Sequence, residues 1–154
     1  MTHILSEITI RNFKSIRNET FELSAFTPLV GYNNAGKSNM LEAIKWLLRK
    51  TALSDSSFHD NSLSVEMEGV ISGITQAILD QLPENQRTSI QPFLIADSLS
   101  IKRVQPQPNV GVAQIRLLVK DPANIGTANE WRANPTGLDQ AIQALFPEPI
   151  HIGA

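Results

Sequence analysis

The chain has no cysteine, which excludes disulfide bonds, thiolate catalysis and zinc sites built on cysteine. It has no apolar run close to the roughly 20 residues that a membrane-spanning helix needs. Its first residues, MTHILSEITIRNF, include acidic and polar side chains where a signal peptide has a continuous apolar core. We therefore expect a cytoplasmic protein that makes no membrane contact.

The chain also has no strong excess of charge of one sign. Its formal net charge of -2 gives no global attraction to nucleic acid, although it does not exclude a local basic surface. The 154 residues, 42% of them hydrophobic, are enough for one globular domain and too few for two ordinary ones.

A phosphate-binding motif is present in the stretch GYNNAGKSNMLEAIKWLL, residues 31–48. Gly31 and the run Gly36-Lys37-Ser38 fit the pattern G-x-x-x-x-G-K-S/T, which binds a nucleoside triphosphate where it follows a strand and opens a helix. The preceding FTPLVG predicts a short strand, and the apolar residues after the motif recur at helical spacing. An ordinary strand–turn–helix junction is the alternative, but the fixed offsets favour triphosphate binding.

Each residue type in the motif has a physical role. Glycines let successive backbone N–H groups turn toward one anion, and a helix start adds unpaired amides and the positive end of its dipole. Lys37 is expected to reach the β- and γ-phosphates and the Ser38 hydroxyl to bind the metal, so the predicted cofactors are ATP and Mg²⁺. The loop itself does not set the choice of ATP over GTP, because it does not contact the base. The predicted nucleotide-binding residues of the loop are Gly31, Tyr32, Asn33, Asn34, Ala35, Gly36, Lys37, Ser38 and Asn39.

The rest of the chain has the patterns of a mixed α and β domain. Alternating apolar residues predict strands, and 3.6-residue periodicity predicts helices. The predicted strands cover residues 4–11, 21–23, 65–71, 99–101 and 115–119, and the predicted helices cover 74–82, 84–95 and 138–146. Residues 51–64 are expected to form a surface loop, and the closing EPIHIGA begins like a buried strand. With no long helix between the last strands, an antiparallel sheet is expected there.

Two stretches together resemble a known family. ITIRNFKSI, followed by GYNNAGKSNMLEAIKWLL, is similar to the first lobe of ABC-type ATPase heads of the RecF, SMC and OLD group. NPTGLDQAIQALFPEPIHIGA also resembles OLD-type ATP-dependent endonucleases. The resemblance implies an α/β P-loop NTPase fold, the N-terminal lobe of an ABC-type ATPase head, with an antiparallel β subdomain. The expected parts are residues 1–50 with the P-loop, 64–120 with the antiparallel subdomain, and 121–154 leading into a further lobe.

The resemblance also implies a mechanism and partners. In such heads the Walker B carboxylate, the ABC signature and the switch histidine come later in the chain, and two heads enclose two ATP molecules. A homodimer is therefore expected. OLD nucleases add a Toprim domain that cuts DNA, and several relatives act in defence against phage.

The sequence lacks the later motifs of that family. No apolar strand ending in Asp-Glu and no signature-like motif follows Ser38. We therefore expect an N-terminal part of a longer protein, with no catalytic residue of its own and little or no hydrolysis alone. ATP-dependent DNA cleavage by that protein is the predicted function. The alternatives are a RecF- or SMC-type DNA maintenance ATPase without nuclease activity, and a nucleotide-binding module without catalysis.

Several smaller features leave more than one interpretation open. Lys14 occupies the position where related heads place a basic residue near the phosphates, so it is either a further nucleotide-binding residue or a solvated lysine. Together with Arg11 and Arg17 it is also a weak candidate for contact with a DNA backbone. His59 and Asp60 favour turn and capping roles over metal ligation.

Three further residues complete the predictions. Glu42 is expected to pair with Lys45, which lies three residues further along the same helix. Trp46 falls off the apolar stripe, and core packing is favoured over contact with a partner. Trp131, in the polar segment TANEWRANPTG, is given no role.

Overall fold

A computed structural model describes residues 3–23, 34–133 and 135–147, with the backbone alone for residues 34–37. Six strands form one antiparallel sheet in the order β2-β1-β3-β4-β5-β6. The strands are β1 Ile4–Phe13, β2 Ile16–Glu22, β3 Val65–Ser72, β4 Leu99–Gln105, β5 Arg116–Lys120 and β6 Trp131–Ala133. The helices are α1 Asn34–Leu48, α2 Gln76–Asp80, α3 Glu84–Ile90 and α4 Leu138–Leu145.

The predicted alternation of buried apolar residues and more exposed polar residues along the strands is confirmed. In β3, Val65, Met67 and Ile71 are buried, whereas Glu66 and Glu68 lie on the opposite face. We call the face that carries Met67 the inner face and the face that carries Glu68 the outer face. Apolar residues of all four helices join the inner-face residues in one hydrophobic core. The α/β class and the antiparallel pairing agree with the prediction.

Helix α1 packs closely on the inner face at a glycine. A Cβ atom added to Gly69 of β3 would lie 2.5 Å from Leu47 Cδ2 and 3.1 Å from Leu5 Cδ1. A side chain here would force the buried Leu47 side chain to shift, so glycine suits the close approach of α1 to β3. Trp46, on the same helix, is buried as predicted, and its Nε1 donates to the Thr51 carbonyl at 2.8 Å.

Some predicted bounds differ from the structure. β2 begins at Ile16, so most of the segment SIRNET is strand, and the reversal takes place at Lys14 and Ser15. β2 is an edge strand whose middle residues are exposed on both faces, and such residues carry no alternating pattern. The short strand β6 was not predicted. Pro83 separates α2 from α3 as predicted, but both helices are shorter than expected. Thr75 caps the start of α2, and a short 3-10 turn, Gln91–Phe93, follows α3.

Two predicted strands, in FTPLVG and in EPIHIGA, lie outside the described residues. Within the described part of the chain, no helix is both long and apolar enough to cross a membrane.

Candidate functional site

The phosphate-binding motif leads directly into α1. The helix begins at Asn34, so the residues Asn34, Ala35, Gly36, Lys37 and Ser38 form its first turns. Ser38 is exposed and Asn39 is half-buried. Gly31, Tyr32 and Asn33 lie outside the described residues, as do the side chains of residues 34–37. The first turn contains no acidic residue, which suits an anion at this end of the helix dipole.

The turn between β1 and β2 contacts α1 near its start. Asn39 Nδ2 donates to Ser15 Oγ at 2.8 Å, and the Lys14 ammonium forms an ion pair with the Glu42 carboxylate. Glu42 is therefore paired with Lys14 on a different element rather than with Lys45, which corrects the sequence prediction. A pairing along the helix is worth only about 0.2–0.5 kcal/mol, so a tertiary contact with Lys14 readily takes its place. Lys14 is held at the helix and is not simply solvated.

The backbone of Lys14 is fixed from its other side by the loop after α1. Its N–H donates to the Ser57 carbonyl at 2.8 Å, and its carbonyl lies 2.8 Å from His59 Nδ1. Arg17 Nε donates to His59 Nε2 at 3.1 Å. The His59 ring therefore joins the Lys14 backbone to the Arg17 side chain. Lys14 itself has a left-handed backbone, with φ of 52°, so this turn is held in a specific conformation.

Asn12 joins the same turn to residues 60–64. Its backbone is left-handed, with φ of 63°, and its side chain is buried. Nδ2 donates to the carbonyls of Asp60, Leu63 and Ser64 at 2.9–3.2 Å, and Oδ1 accepts from the Asp60 N–H at 2.7 Å. One buried amide therefore satisfies four backbone groups of the loop.

His59 and Asp60 act as loop residues, as predicted. The Asp60 carboxylate accepts hydrogen bonds from the Ser62 hydroxyl and then from the Ser62 N–H, and these bonds hold its pKa below the ordinary value. No group of three or more His, Asp or Glu side chains suited to a metal ion occurs in the described ranges.

The basic patch suggested by the sequence does not form one surface. In the β1–β2 register Arg11 lies opposite Asn18, so Arg17, one residue earlier in β2, points to the other face of the sheet. Arg11 Nη1 is 2.5 Å from Glu68 Oε2, and Lys14 is paired with Glu42. The alternation of strand side chains therefore separates Arg11 from Arg17, and carboxylates neutralise Arg11 and Lys14.

Arg103 of β4, which the sequence analysis did not single out, holds the far end of α1. Its side chain is fully buried, and its Nε donates to the Leu47 carbonyl in the last turn of α1 at 3.0 Å. Its Nη2 lies 2.8 Å from Asp139 Oδ1 in the first turn of α4. Its inward position follows from the alternation Leu99, Ile101, Arg103, which was the only signal available in the sequence.

A cavity of about 560 Å³ lies beside α1, away from the start of the helix. Its wall includes Phe13, Trp46, Phe146 and Pro147, and its lining along α1 begins only at Glu42. At 1.5 Å per residue, Glu42 lies about 12 Å along the helix from Asn34. The cavity is therefore not the phosphate loop.

The described residues fit a nucleotide at the start of α1. The helix there offers its free amides, carries no carboxylate in its first turn and exposes the Ser38 hydroxyl. The Glu42 carboxylate, which lies further along α1, is neutralised by Lys14. Mg²⁺ commonly keeps waters and binds through phosphate oxygens plus one or two protein oxygens, so a single hydroxyl is an appropriate ligand set.

Comparison with known proteins gives the family. A family model described as "AAA ATPase domain" matches residues 4–132. The chain is 45% identical to the Old nuclease of Escherichia phage P2 over 155 aligned residues, which cover 100% of this chain and 25% of that protein. It thus spans about a quarter of the length of this relative.

Two further relatives share a shorter stretch. The chromosome partition proteins Smc of Methanococcus voltae and Methanocaldococcus jannaschii are each 41% identical over 49 residues, which is 31% of this chain and 4% of theirs. The predicted resemblance to ATPases of the OLD and SMC group is confirmed. The chain belongs to the AAA ATPase domain family.

Proposed function

We propose that the chain binds ATP and Mg²⁺ at residues 31–39 and at Lys14. One observation carries the proposal: the motif with Gly31, Gly36, Lys37 and Ser38 runs into a 15-residue helix, α1, in a chain that the ATPase family matches over residues 4–132. In the proposed complex the backbone N–H groups of the loop and of the first turn of α1 surround the phosphates.

Each side chain then has a defined part in binding. Lys37 contributes positive charge at the β- and γ-phosphates, and the Ser38 hydroxyl is a ligand of Mg²⁺. Asn39 holds the first turns of α1 against Ser15, which keeps the β1–β2 turn beside the start of α1. Lys14 lies in that turn and exchanges its Glu42 partner for a phosphate oxygen. When bound, Mg-ATP supplies an activated γ-phosphoryl group for hydrolysis.

We propose hydrolysis only for a longer protein that contains this chain. The sequence after Ser38 carries no Walker B carboxylate to help orient an attacking water, so the chain alone binds without efficient turnover. In the longer protein, two ABC-type heads would pair as a homodimer around two nucleotides. We further propose that hydrolysis in the longer protein is coupled to DNA cleavage, in the cytoplasm and in phage defence. The similarity to a protein named Old nuclease over the whole chain supports the nuclease part of this proposal.

The second candidate is a DNA maintenance ATPase that closes on DNA without cutting it. The 49-residue similarity to Smc proteins supports it, but it covers only 31% of the chain, against 100% for Old nuclease. The third is a nucleotide-binding module without catalysis. A heptad coiled-coil tract in the longer protein would favour the second candidate, and an acidic Toprim pattern would favour the nuclease.

Isothermal titration calorimetry tests the nucleotide proposal. We expect Mg-ATP to bind the wild-type chain in the micromolar range, at roughly −8 kcal/mol, and Lys37→Ala to abolish the heat of binding. Lys45→Ala is the matched control, because it removes the same charge from the same helix at an exposed position further from the loop. Equal binding by wild type and Lys37→Ala would contradict the proposal.

A further inference from the structure

The outer face of the sheet is divided by charge. The half formed by β2, β1 and β3 carries four carboxylates and one guanidinium, and these residues are Glu7, Glu22, Glu66, Glu68 and Arg11. The half formed by β4, β5 and β6 carries three cations and an indole. We call this second group, Lys102, Arg116, Lys120 and Trp131, the tryptophan patch.

The strand register brings the patch together. Trp131 lies directly opposite Lys120, and Lys102 lies opposite Leu118, two residues before Lys120 on the same face. Both lysine ammonium groups approach the indole, with Nζ of Lys102 at 4.5 Å and Nζ of Lys120 at 5.3 Å from the ring centroid. Trp131 is half-buried and the two ammonium groups lie over its ring, so a planar ligand stacks on the indole only when the lysine side chains move off the ring.

The positive charge of the patch is not cancelled within the described residues. Glu130 pairs with Lys120 at 3.3 Å, and the Gly126 N–H, followed by Lys120, keeps the pKa of Glu130 below its ordinary value. Glu68, which lies opposite Lys102 in the register, is paired with Arg11 at 2.5 Å. No ion pair within 4 Å is found for Lys102 or Arg116 in the described part of the chain. The patch therefore keeps an excess of positive charge although the whole chain is acidic.

We propose that the tryptophan patch binds single-stranded DNA, with a base stacked on Trp131 and phosphates at Lys102, Arg116 and Lys120. Aromatic side chains on a sheet with cations around them provide a stacking surface and backbone contacts together, and this combination is typical of sites for unpaired bases. Arg116 and Lys120 are four residues apart, about 13 Å along β5, which spans a short run of nucleotides. A regular duplex has its bases stacked internally and offers no free base to the indole.

The site is separate from the proposed nucleotide site. Helix α1 packs against the inner face of the sheet at Gly69, whereas the patch lies on the outer face. The two proposals can therefore fail independently. We expect Lys37→Ala to remove Mg-ATP binding and to leave DNA binding unchanged. We expect Trp131→Ala to weaken DNA binding and to leave Mg-ATP binding unchanged.

Fluorescence polarisation of a labelled single strand of about 20 nucleotides, titrated with the whole 154-residue chain, tests the proposal. We expect Trp131→Ala to weaken binding roughly ten-fold and Trp131→Phe to retain most of it, because any aromatic ring can stack with a base. Joint replacement of Lys102 and Lys120 by Ala should reduce the slope of log K against log salt by about 1.4. Circular dichroism of each variant checks that the fold is kept.

Arg17→Ala is the matched control, because it removes one exposed cation at the opposite edge of the sheet. It should leave the affinity unchanged. An equal loss with Arg17→Ala, an unchanged affinity with Trp131→Ala, or equal binding of duplex DNA or of single-stranded RNA would overturn the assignment. A chain that self-associates through Trp131 in sedimentation and binds no DNA would also overturn it.

Discussion

Arg103 on β4 and Asp139 on α4 form an ion pair between a buried guanidinium and a partly exposed carboxylate, and Arg103 also holds the last turn of α1. The guanidinium is fully buried and donates to the Asp139 carboxylate at 2.8 Å and to the Leu47 carbonyl at 3.0 Å. One side chain therefore connects the sheet, the helix that carries the phosphate motif and the C-terminal helix. This contact fixes the end of α1, whereas the contacts of Asn39 with Ser15 and of Glu42 with Lys14 hold the helix nearer its start.

Removal of the Asp139 carboxylate should lower the free energy of unfolding. Asp139→Ala leaves a buried guanidinium without its counter-charge, and we expect a loss of about 3 kcal/mol in the free energy of unfolding. Lys50→Ala is the control, because it removes a cation 3.8 Å from the same carboxylate at a partly exposed position, and it should cost less than about 1 kcal/mol. Urea denaturation of the three proteins measures both values. If Asp139→Ala and Lys50→Ala lowered the free energy of unfolding equally, the contact between Asp139 and the buried Arg103 guanidinium would contribute no more than the exposed contact with Lys50.

Loss of the buried amide of Asn12 should destabilise the fold as much as truncation of a core residue. Asn12→Ala loses four hydrogen bonds to the loop at residues 60–64 and places a Cβ-bearing residue without a local hydrogen bond at φ of 63°. We expect a loss of at least about 2 kcal/mol. Asn12→Gly removes the hydrogen bonds without the backbone strain and should be the less destabilising of the two. If Asn12→Gly and Asn12→Ala had equal melting temperatures, the left-handed backbone at residue 12 would contribute nothing to the loss of stability.

The close approach of α1 to β3 should not tolerate a methyl group. Gly69→Ala puts a carbon 2.5 Å from the buried Leu47 side chain, so we expect a loss of about 1–3 kcal/mol. In the background of Leu47→Ala the same substitution should cost at least about 1 kcal/mol less, because the obstructing atom is gone. A double-mutant cycle by urea denaturation measures this coupling, and additive effects would contradict the packing argument.

The ion pair between Lys14 and Glu42 should tune nucleotide affinity, provided that the proposed nucleotide site is correct. Glu42→Gln releases Lys14 from its carboxylate and should tighten Mg-ATP binding by a few-fold. Lys14→Ala should weaken it by about ten-fold or more, since a hydrogen bond to a charged group is lost. Calorimetric titration of both variants measures the two opposite shifts. Weakening by both variants would indicate that the pair is needed intact.

Acid should destabilise the chain through carboxylates that accept hydrogen bonds in the fold. The pKa values of Asp60, Asp121 and Glu130 are lowered by the Ser62 hydroxyl, the Ala123 N–H and the Gly126 N–H respectively. Because each folded pKa lies below the unfolded one, the stabilisation is complete above about pH 5 and is lost as the pH falls through about 4 and below. Melting temperatures from pH 7 to 3 should show this fall, and Asp60→Asn should make it shallower.

The sequence predicted the elements whose patterns are local. The alternation of Val65, Met67 and Ile71 indicated β3, and the helical spacing of Met40, Ile44 and Leu47 indicated the apolar face of α1. In both cases the buried face is continuous within one element, so a period of 2 or 3.6 is enough to reveal it.

Contacts between distant residues could not be predicted in the same way. Lys14 and Glu42 are 28 residues apart, and Arg103 and Asp139 are 36 apart, so their pairing depends on the sheet order. Trp131 acquires its lysine neighbours only once β6 pairs with β5 and β5 with β4. The phosphate motif could be identified because its chemistry requires fixed local offsets.

The most direct test of the central claim is an amide ¹H–¹⁵N spectrum of the 17.0 kDa chain during titration with Mg-ATP. Hydrogen bonds from backbone N–H groups to phosphate are the basis of the proposed site, and they shift amide resonances strongly. We predict large, saturable shifts confined to residues 31–39 and the turn at Lys14, and none in Lys37→Ala. Shifts centred instead on the cavity residues Trp46 and Phe146, or a spectrum unchanged by nucleotide, would contradict the account.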